Sequence, residues 1–132
     1  MKIRLGQNLK QMITAKYFSE KEFKACSPSC SLQDMQQHTM DKLDAARELA
    51  GIPFVINSAY RSAAWDKSKG RTGTGAHTKG CAVDIRCNTS ESRMKIVKAC
   101  LAVGFTRVGI GKTYVHVDDD ATKPQNVMWH YY

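Results

Sequence analysis

No run of apolar residues in this chain approaches the length that crosses a bilayer, which excludes a helical membrane span. The stretch at residues 1–16 is basic but lacks the continuous apolar core of a secretory signal. The chain is therefore expected to carry no export signal. Prolines number only three, and no segment is repeated or of low complexity, so repeat and low-complexity architectures are excluded. There is no H-E-x-x-H helix of the common metalloprotease kind. Cys26 and Cys30 are spaced C-x-x-x-C, but no second Cys or His pair stands at zinc-finger spacing.

Acidic residues are also scarce. Twelve Asp and Glu face twenty Lys and Arg, for a formal net charge of +8 and a sequence pI near 9.4. Such a balance favours a polyanionic partner, with nucleic acid and an anionic cell wall both candidates. The cations are scattered rather than gathered on one helix, so a nucleic-acid partner is not expected. The 132 residues, 42% of them hydrophobic, suffice for one domain with one modest core. Five cysteines leave at least one unpaired in a monomer. Without an export signal reduced thiols are the default, and Cys100, in a helical pattern, reads as core.

Local signals divide the chain as follows. Residues 1–17 read as a basic leader, and residues 18–132 as the domain. Ser19 and Glu22 form a capping box at a helix start. Residues 26–31 form a Cys/Ser/Pro loop. The strongest helix is expected over residues 32–50, where Met35, Met40, Leu43, Ala46, Leu49 and Ala50 recur at near-helical spacing. Gly51 and Pro53 end it. Residues 54–57 read as a strand, 67–78 as a Gly/Lys/Thr loop, 81–87 as a strand and 90–103 as a helix. Residues 105–110 and 113–118 read as a hairpin, 119–126 as a polar loop and 127–132 as a last strand. Helices and strands mix without a βαβ rhythm. The class is α+β, with a small antiparallel sheet flanked by helices.

Three residues carry the chemistry. His77 ends the glycine-rich loop, Asp84 lies on the 81–87 strand, and His116 lies on the 113–118 strand. Side chains alternate faces along a strand. Val83 and Ile85 therefore share one face and Asp84 the other, while Val115 and Val117 oppose Tyr114, His116 and Asp118. Each strand has an apolar face for a core and a polar face for a site. Two histidines and a carboxylate suit a catalytic zinc ion with a fourth position left open. His130 reads as part of an aromatic terminal strand, and His38 as a surface residue. Trp65 reads as groove lining or core.

The motifs Ser58-Ala59-Tyr60-Arg61-Ser62, Gly75-Ala76-His77-Thr78-Lys79-Gly80-Cys81-Ala82-Val83-Asp84 and Val115-His116-Val117-Asp118 stand in this order. In this the chain resembles the zinc D-Ala-D-Ala carboxypeptidases, a family that also holds vancomycin-resistance D-Ala-D-Ala dipeptidases and phage L-alanyl-D-glutamate endolysins. The resemblance implies Zn2+ held by His77, Asp84 and His116. It implies that Arg61 reaches the substrate or the developing oxyanion, with Tyr60 and Tyr114 beside the substrate. It implies a peptidase acting on peptidoglycan stem peptides, as a monomer without membrane insertion. A phage or prophage lysis enzyme, made in the cytoplasm and acting at the wall, would fit. Many members carry an acidic general base three residues before the last histidine, where this chain has Thr113. Two roles are open to Asp118: the base, or a group that orients a ligand histidine. The alternative is a non-catalytic zinc-containing wall-binding module, similar to the hedgehog signalling domain.

Overall fold

Alternating polarity along short strands sets the architecture in the computed structural model, which describes residues 11–132. Five strands form one sheet: β1 (Ile56–Ser58), β2 (Ala82–Arg86), β3 (Arg107–Ile110), β4 (Tyr114–Asp118) and β5 (Val127–His130). Their spatial order is β1-β2-β4-β3-β5. Among the described residues four α-helices accompany them: α1 (Glu20–Lys24), α2 (Gln37–Ala50), α3 (Ala63–Ser68) and α4 (Ser90–Ala102). The fold is α+β, as expected. Among the described residues no helix is long and apolar enough to cross a membrane.

The apolar sheet face builds the core. Val83, Ile85, Val108, Val115 and Val117 are buried together with Met40, Leu43 and Ala46 of α2 and Ile96, Ala99 and Cys100 of α4. Phe23, Met35 and Phe105 belong to the same cluster. Period two along the strands and the near-helical period of α2 thus meet in one interior. Leu49, on the same apolar reading of α2, is instead 62% exposed. All five cysteines are buried free thiols.

The sheet is mixed rather than wholly antiparallel. β1, β2, β4 and β3 pair antiparallel, but β5 runs parallel to β3. Connectivity explains this. β4 ends at Asp118 beside Arg107, where β3 begins. The loop at residues 119–126 therefore reaches the outer edge of β3 at that same end. Arg107 Nη1 donates to the Pro124 carbonyl at 2.7 Å, and Val127 N–H donates to the Thr106 carbonyl at 3.0 Å. β5 then has only the direction of β3 left to follow.

The helix expected over residues 32–50 is broken. A 3-10 turn covers Leu32–Asp34, and α2 starts only at Gln37. Ser31 and Asp34 cap one another across the turn, and Met35 is extended at φ −90°, ψ 159°. The Gln36 N–H is thereby freed to donate to the Gly80 carbonyl at 2.9 Å. Gly80 itself sits at φ +72°, and a Cβ there would collide with the Asp34 carbonyl oxygen. Helix α3 falls in part inside the expected loop, with Ser62 Oγ accepting from the Trp65 N–H at 3.0 Å.

Other local signals fold as read. Glu22 Oε2 accepts from the Ser19 N–H at 2.8 Å, completing the capping box of α1. Of the basic leader, residues 1–10 lie outside the described residues. Residues 11–17 run along α2, whose side chains bond their backbone. Gln37 Oε1 accepts from Thr14 N–H at 2.9 Å, and the Asp44 carboxylate accepts from the N–H groups of Lys16 and Tyr17 at 2.7 and 3.0 Å.

Candidate active site

Asp84 and His116 are cross-strand partners, directly opposed on β2 and β4. Opposed residues of neighbouring strands point to the same face, so the pairing alone brings the two side chains together. His116 Nδ1 lies 3.0 Å from Asp84 Oδ1. His77 comes from outside the sheet, on a 3-10 turn at Ala76–Lys79 that Gly80 closes. Its Nε2 lies 3.3 Å from the same Asp84 oxygen. The three donor atoms all fall within 4.8 Å of one another. All three side chains are nearly buried, at 7%, 9% and 6% exposure for His77, Asp84 and His116.

The outward ring nitrogens are held as well. His77 Nδ1 lies 2.6 Å from the Ala59 carbonyl oxygen. A carbonyl can only accept, so this nitrogen carries the ring proton and Nε2 presents its lone pair. His116 Nε2 lies 2.7 Å from Asp118 Oδ2, leaving Nδ1 facing Asp84. Asp118 is 1% exposed, and Arg107 Nε donates to its Oδ1 at 2.8 Å. The Asp120 N–H donates to that oxygen too, at 3.1 Å.

His116 has a carboxylate at each ring nitrogen, and a cation held in the site would leave its proton on Nε2 and turn the Nδ1 lone pair inward beside that of His77 Nε2. Two imidazoles and a carboxylate match the ligand types of zinc. Proton uptake follows the same logic. Burial pushes the Asp84 carboxyl up, but the His116 and His77 rings outweigh it and hold it well below the usual range. Burial disfavours the charged His116 ring, yet Asp118 and Asp84 raise its affinity for a proton.

Arg61 approaches from the loop after β1. Its backbone N–H donates to the His77 carbonyl at 3.2 Å, tying the Ser58–Ser62 motif to the His77 turn. Arg61 Nε donates to Ser58 Oγ at 3.1 Å, and Nη2 reaches Asp84 Oδ2 at 3.3 Å. Its guanidinium also lies 5.7 Å from the Trp65 ring, which Lys69 and Arg71 flank as well. Tyr60 is half-buried against the main core. Tyr114, at the start of β4, lies 5.5 Å from the Tyr131 ring.

Several groups escaped the sequence reading. Arg107 braces Asp118, and Trp129 and Tyr131 stand beside His116 with ring centroids 5.5 and 6.5 Å away. Alternation along 105–110 could have found Arg107, since it shares a face with Gly109 away from buried Val108. Burial pushes the Tyr131 phenol up to about 12. His130 packs on Tyr132 instead. His38 is exposed, and it pairs with Asp119 at 2.6 Å. Lys79 bonds Asp120 at 2.9 Å.

No curated protein matches this chain in sequence. A family model does: residues 11–118 match the one described as Peptidase M15, whose peptidases are zinc-dependent. With that match over most of its length and a His/Asp/His set in place for the metal, the chain belongs to the Peptidase M15 family and is a metallopeptidase by that membership.

Proposed function

We propose that this metallopeptidase hydrolyses peptide bonds in the stem peptides of bacterial peptidoglycan. The observation that carries the reading is the convergence of His77 Nε2, Asp84 and His116 Nδ1 with both outward ring nitrogens already engaged. The motif resemblance to D-Ala-D-Ala carboxypeptidases supports the substrate class. The net charge of +8 supports attraction to an anionic wall. A phage or prophage lysis enzyme is the proposed setting.

His77, Asp84 and His116 would hold a zinc ion, which would supply Lewis acidity to polarise a peptide carbonyl and lower the pKa of water. The chain's own groups do the rest. Ala59 and Asp118 fix the two imidazoles in the tautomers that ligation needs. Arg61 is an always-charged donor whose Nε and Nη2 are engaged with Ser58 and Asp84. Its Nη1 is the nitrogen left to hold a developing oxyanion.

Both carboxylate oxygens of Asp118 have partners, in His116, Arg107 and the Asp120 N–H. That supports the orienting role for Asp118 over the role of general base. Thr113, at the position where many family members carry an acid, favours a second reading: a zinc-containing module that binds the wall without cutting it.

Release of free amines from purified peptidoglycan separates the two. The peptidase reading expects release that a chelator abolishes and added zinc restores. A protein holding stoichiometric zinc that binds peptidoglycan and releases nothing is the binding module.

A further inference from the structure

Cys26 and Cys30 bound a short loop, Cys26-Ser27-Pro28-Ser29-Cys30, that takes no part in the metal site. The loop folds back on itself. The N–H groups of Cys26 and Cys30 both donate to the Phe23 carbonyl, at 3.2 and 3.1 Å. Cys30 Sγ reaches the same oxygen at 3.6 Å. The two cysteines thus meet around one backbone atom, and their thiols bond to each other. The pair is unequal. The Cys26 thiol holds the Cys30 thiol below its ordinary value, burial opposes this, and the Tyr60 N–H adds to the lowering. The bond to Cys30, together with burial, pushes the Cys26 thiol up. A thiol that releases its proton readily, beside one that keeps it, is the arrangement of an attacking and a resolving cysteine. Ser27 and Ser29 are exposed, so the pair lies just beneath the surface.

The same loop holds the chain that positions a metal ligand. Cys26 Sγ donates to the Ile56 carbonyl of β1 at 3.7 Å, and the Ser27 N–H donates to the Asn57 carbonyl at 2.9 Å. Cys30 Sγ accepts from the Tyr60 N–H. That N–H and the Ala59 carbonyl belong to one peptide unit, and the Ala59 carbonyl accepts from His77 Nδ1 at 2.6 Å. A peptide bonded at both ends is polarised by each bond, so sulfur at one end strengthens the hold on His77 at the other. Removal of the thiol hydrogens ends the donation from Cys26 to Ile56 and from Cys30 to Phe23. A disulfide sulfur also accepts more weakly than a sulfur with thiolate character, so the bond from Tyr60 weakens with them.

We propose that Cys26 and Cys30 form a redox-active dithiol that low-molecular-weight disulfides oxidise, and that its closure loosens His77 and weakens zinc binding. The Cys30 thiolate attacks one sulfur of the small disulfide and expels the other as a thiolate. Cys26 then gives its proton to solvent and attacks Cys30 Sγ, expelling the second thiolate. The protein loses two electrons and both thiol protons, and the small disulfide is reduced to two thiols. This chemistry is independent of which substrate the enzyme cuts.

The test equilibrates the full chain with glutathione buffers of rising oxidised fraction, followed by acid quenching and alkylation. Both cysteines fall in one tryptic peptide, residues 25–42, which is lighter by the two thiol hydrogens once the disulfide closes. Zinc affinity of the dithiol and disulfide forms, freed of glutathione, is read by competition with a chromogenic chelator. The disulfide form is expected to bind zinc about tenfold more weakly, the low end for loss of a hydrogen-bond partner behind a ligand histidine. Reciprocally, zinc should raise the oxidised glutathione needed for half-conversion by the same factor. Cys30→Ser cannot close the disulfide but keeps an acceptor for the Tyr60 N–H. It should hold zinc as the dithiol form does, whatever the glutathione buffer, whereas Cys30→Ala should match the disulfide form. A 25–42 peptide that keeps both hydrogens in fully oxidised glutathione, or one that stops as a mixed disulfide, overturns the proposal. So does a closed disulfide with unchanged zinc affinity. These arms use the wild-type protein and decide the matter even where a variant fails to fold.

Discussion

Asp118 Oδ2 lies 2.7 Å from His116 Nε2, on the opposite side of the ring from the Asp84 oxygen that His116 Nδ1 faces at 3.0 Å. A carboxylate behind a ligand imidazole sets its tautomer and raises its basicity. On this arrangement Asp118→Asn should weaken zinc affinity about 10–100-fold, as read by competition with a chromogenic chelator. A general base would behave differently. Its loss would collapse kcat while zinc affinity stayed at the wild-type value.

Arg107 extends the same argument to stability. It is the buried counter-charge of Asp118, with side-chain exposures of 12% and 1% for the pair. Removing one partner strands the other, so Asp118→Ala should cost about 3–5 kcal/mol in urea unfolding. Asp118→Ala combined with Arg107→Met should recover part of that loss.

The metal set links zinc to folding. A ligand that binds only the native state stabilises it by mass action, about 4 kcal/mol at a thousandfold excess over Kd. A chelator should lower Tm of the zinc-loaded protein by several degrees. His77→Ala and Asp84→Asn should bind less than stoichiometric zinc, and their Tm should not respond to the chelator.

Acid should unfold the protein partly through Asp120. Burial pushes its carboxyl up, but Thr122 and Lys79 outweigh this and hold it at about 2, below the ordinary 3.8. A carboxyl depressed in the native state stabilises it above the unfolded pKa, and that contribution is lost as pH falls through the folded value. The loss therefore runs from about pH 4 down to about pH 2. Asp120→Asn should flatten this limb in urea unfolding of the zinc-free protein, where metal release adds nothing.

Exposure should decide among residues of similar chemistry. Leu43 is fully buried and Leu49 is 62% exposed, both on α2. Leu43→Ala should cost about 2–5 kcal/mol, and Leu49→Ala no more than about 0.5. Burial likewise pushes the thiols of Cys81 and Cys100 up to about 12. Iodoacetamide at pH 8 should leave both unlabelled in the native protein and label both in urea.

Much of the site was legible because its rules are local. Period two put Asp84 and His116 on polar strand faces opposite Val83, Ile85, Val115 and Val117, and those valines and Ile85 are buried. The capping box at Ser19 and the helix end at Gly51 also follow from nearest neighbours. The break at Met35 did not, because the group that takes the Gln36 N–H is the distant carbonyl of Gly80. The exposure of Leu49 was hidden for a similar reason: helical spacing names a stripe, and packing decides its width.

The sequence alone thus determined the mixed class, the core-facing strand residues and the three ligand candidates, since covalent geometry dictates which side of a strand each residue occupies. The tertiary structure decided the rest. Whether Asp84 and His116 stand opposite each other depends on register between β2 and β4, and the bracing of Asp118 by Arg107 on the pairing of β3 with β4. The nearness of Trp129 to His116 depends on β5 docking at the far edge of β3, where the short loop after β4 delivers it. Strand order is set by loop closure and by the burial of both partners together, and neither is a property of any local stretch of chain.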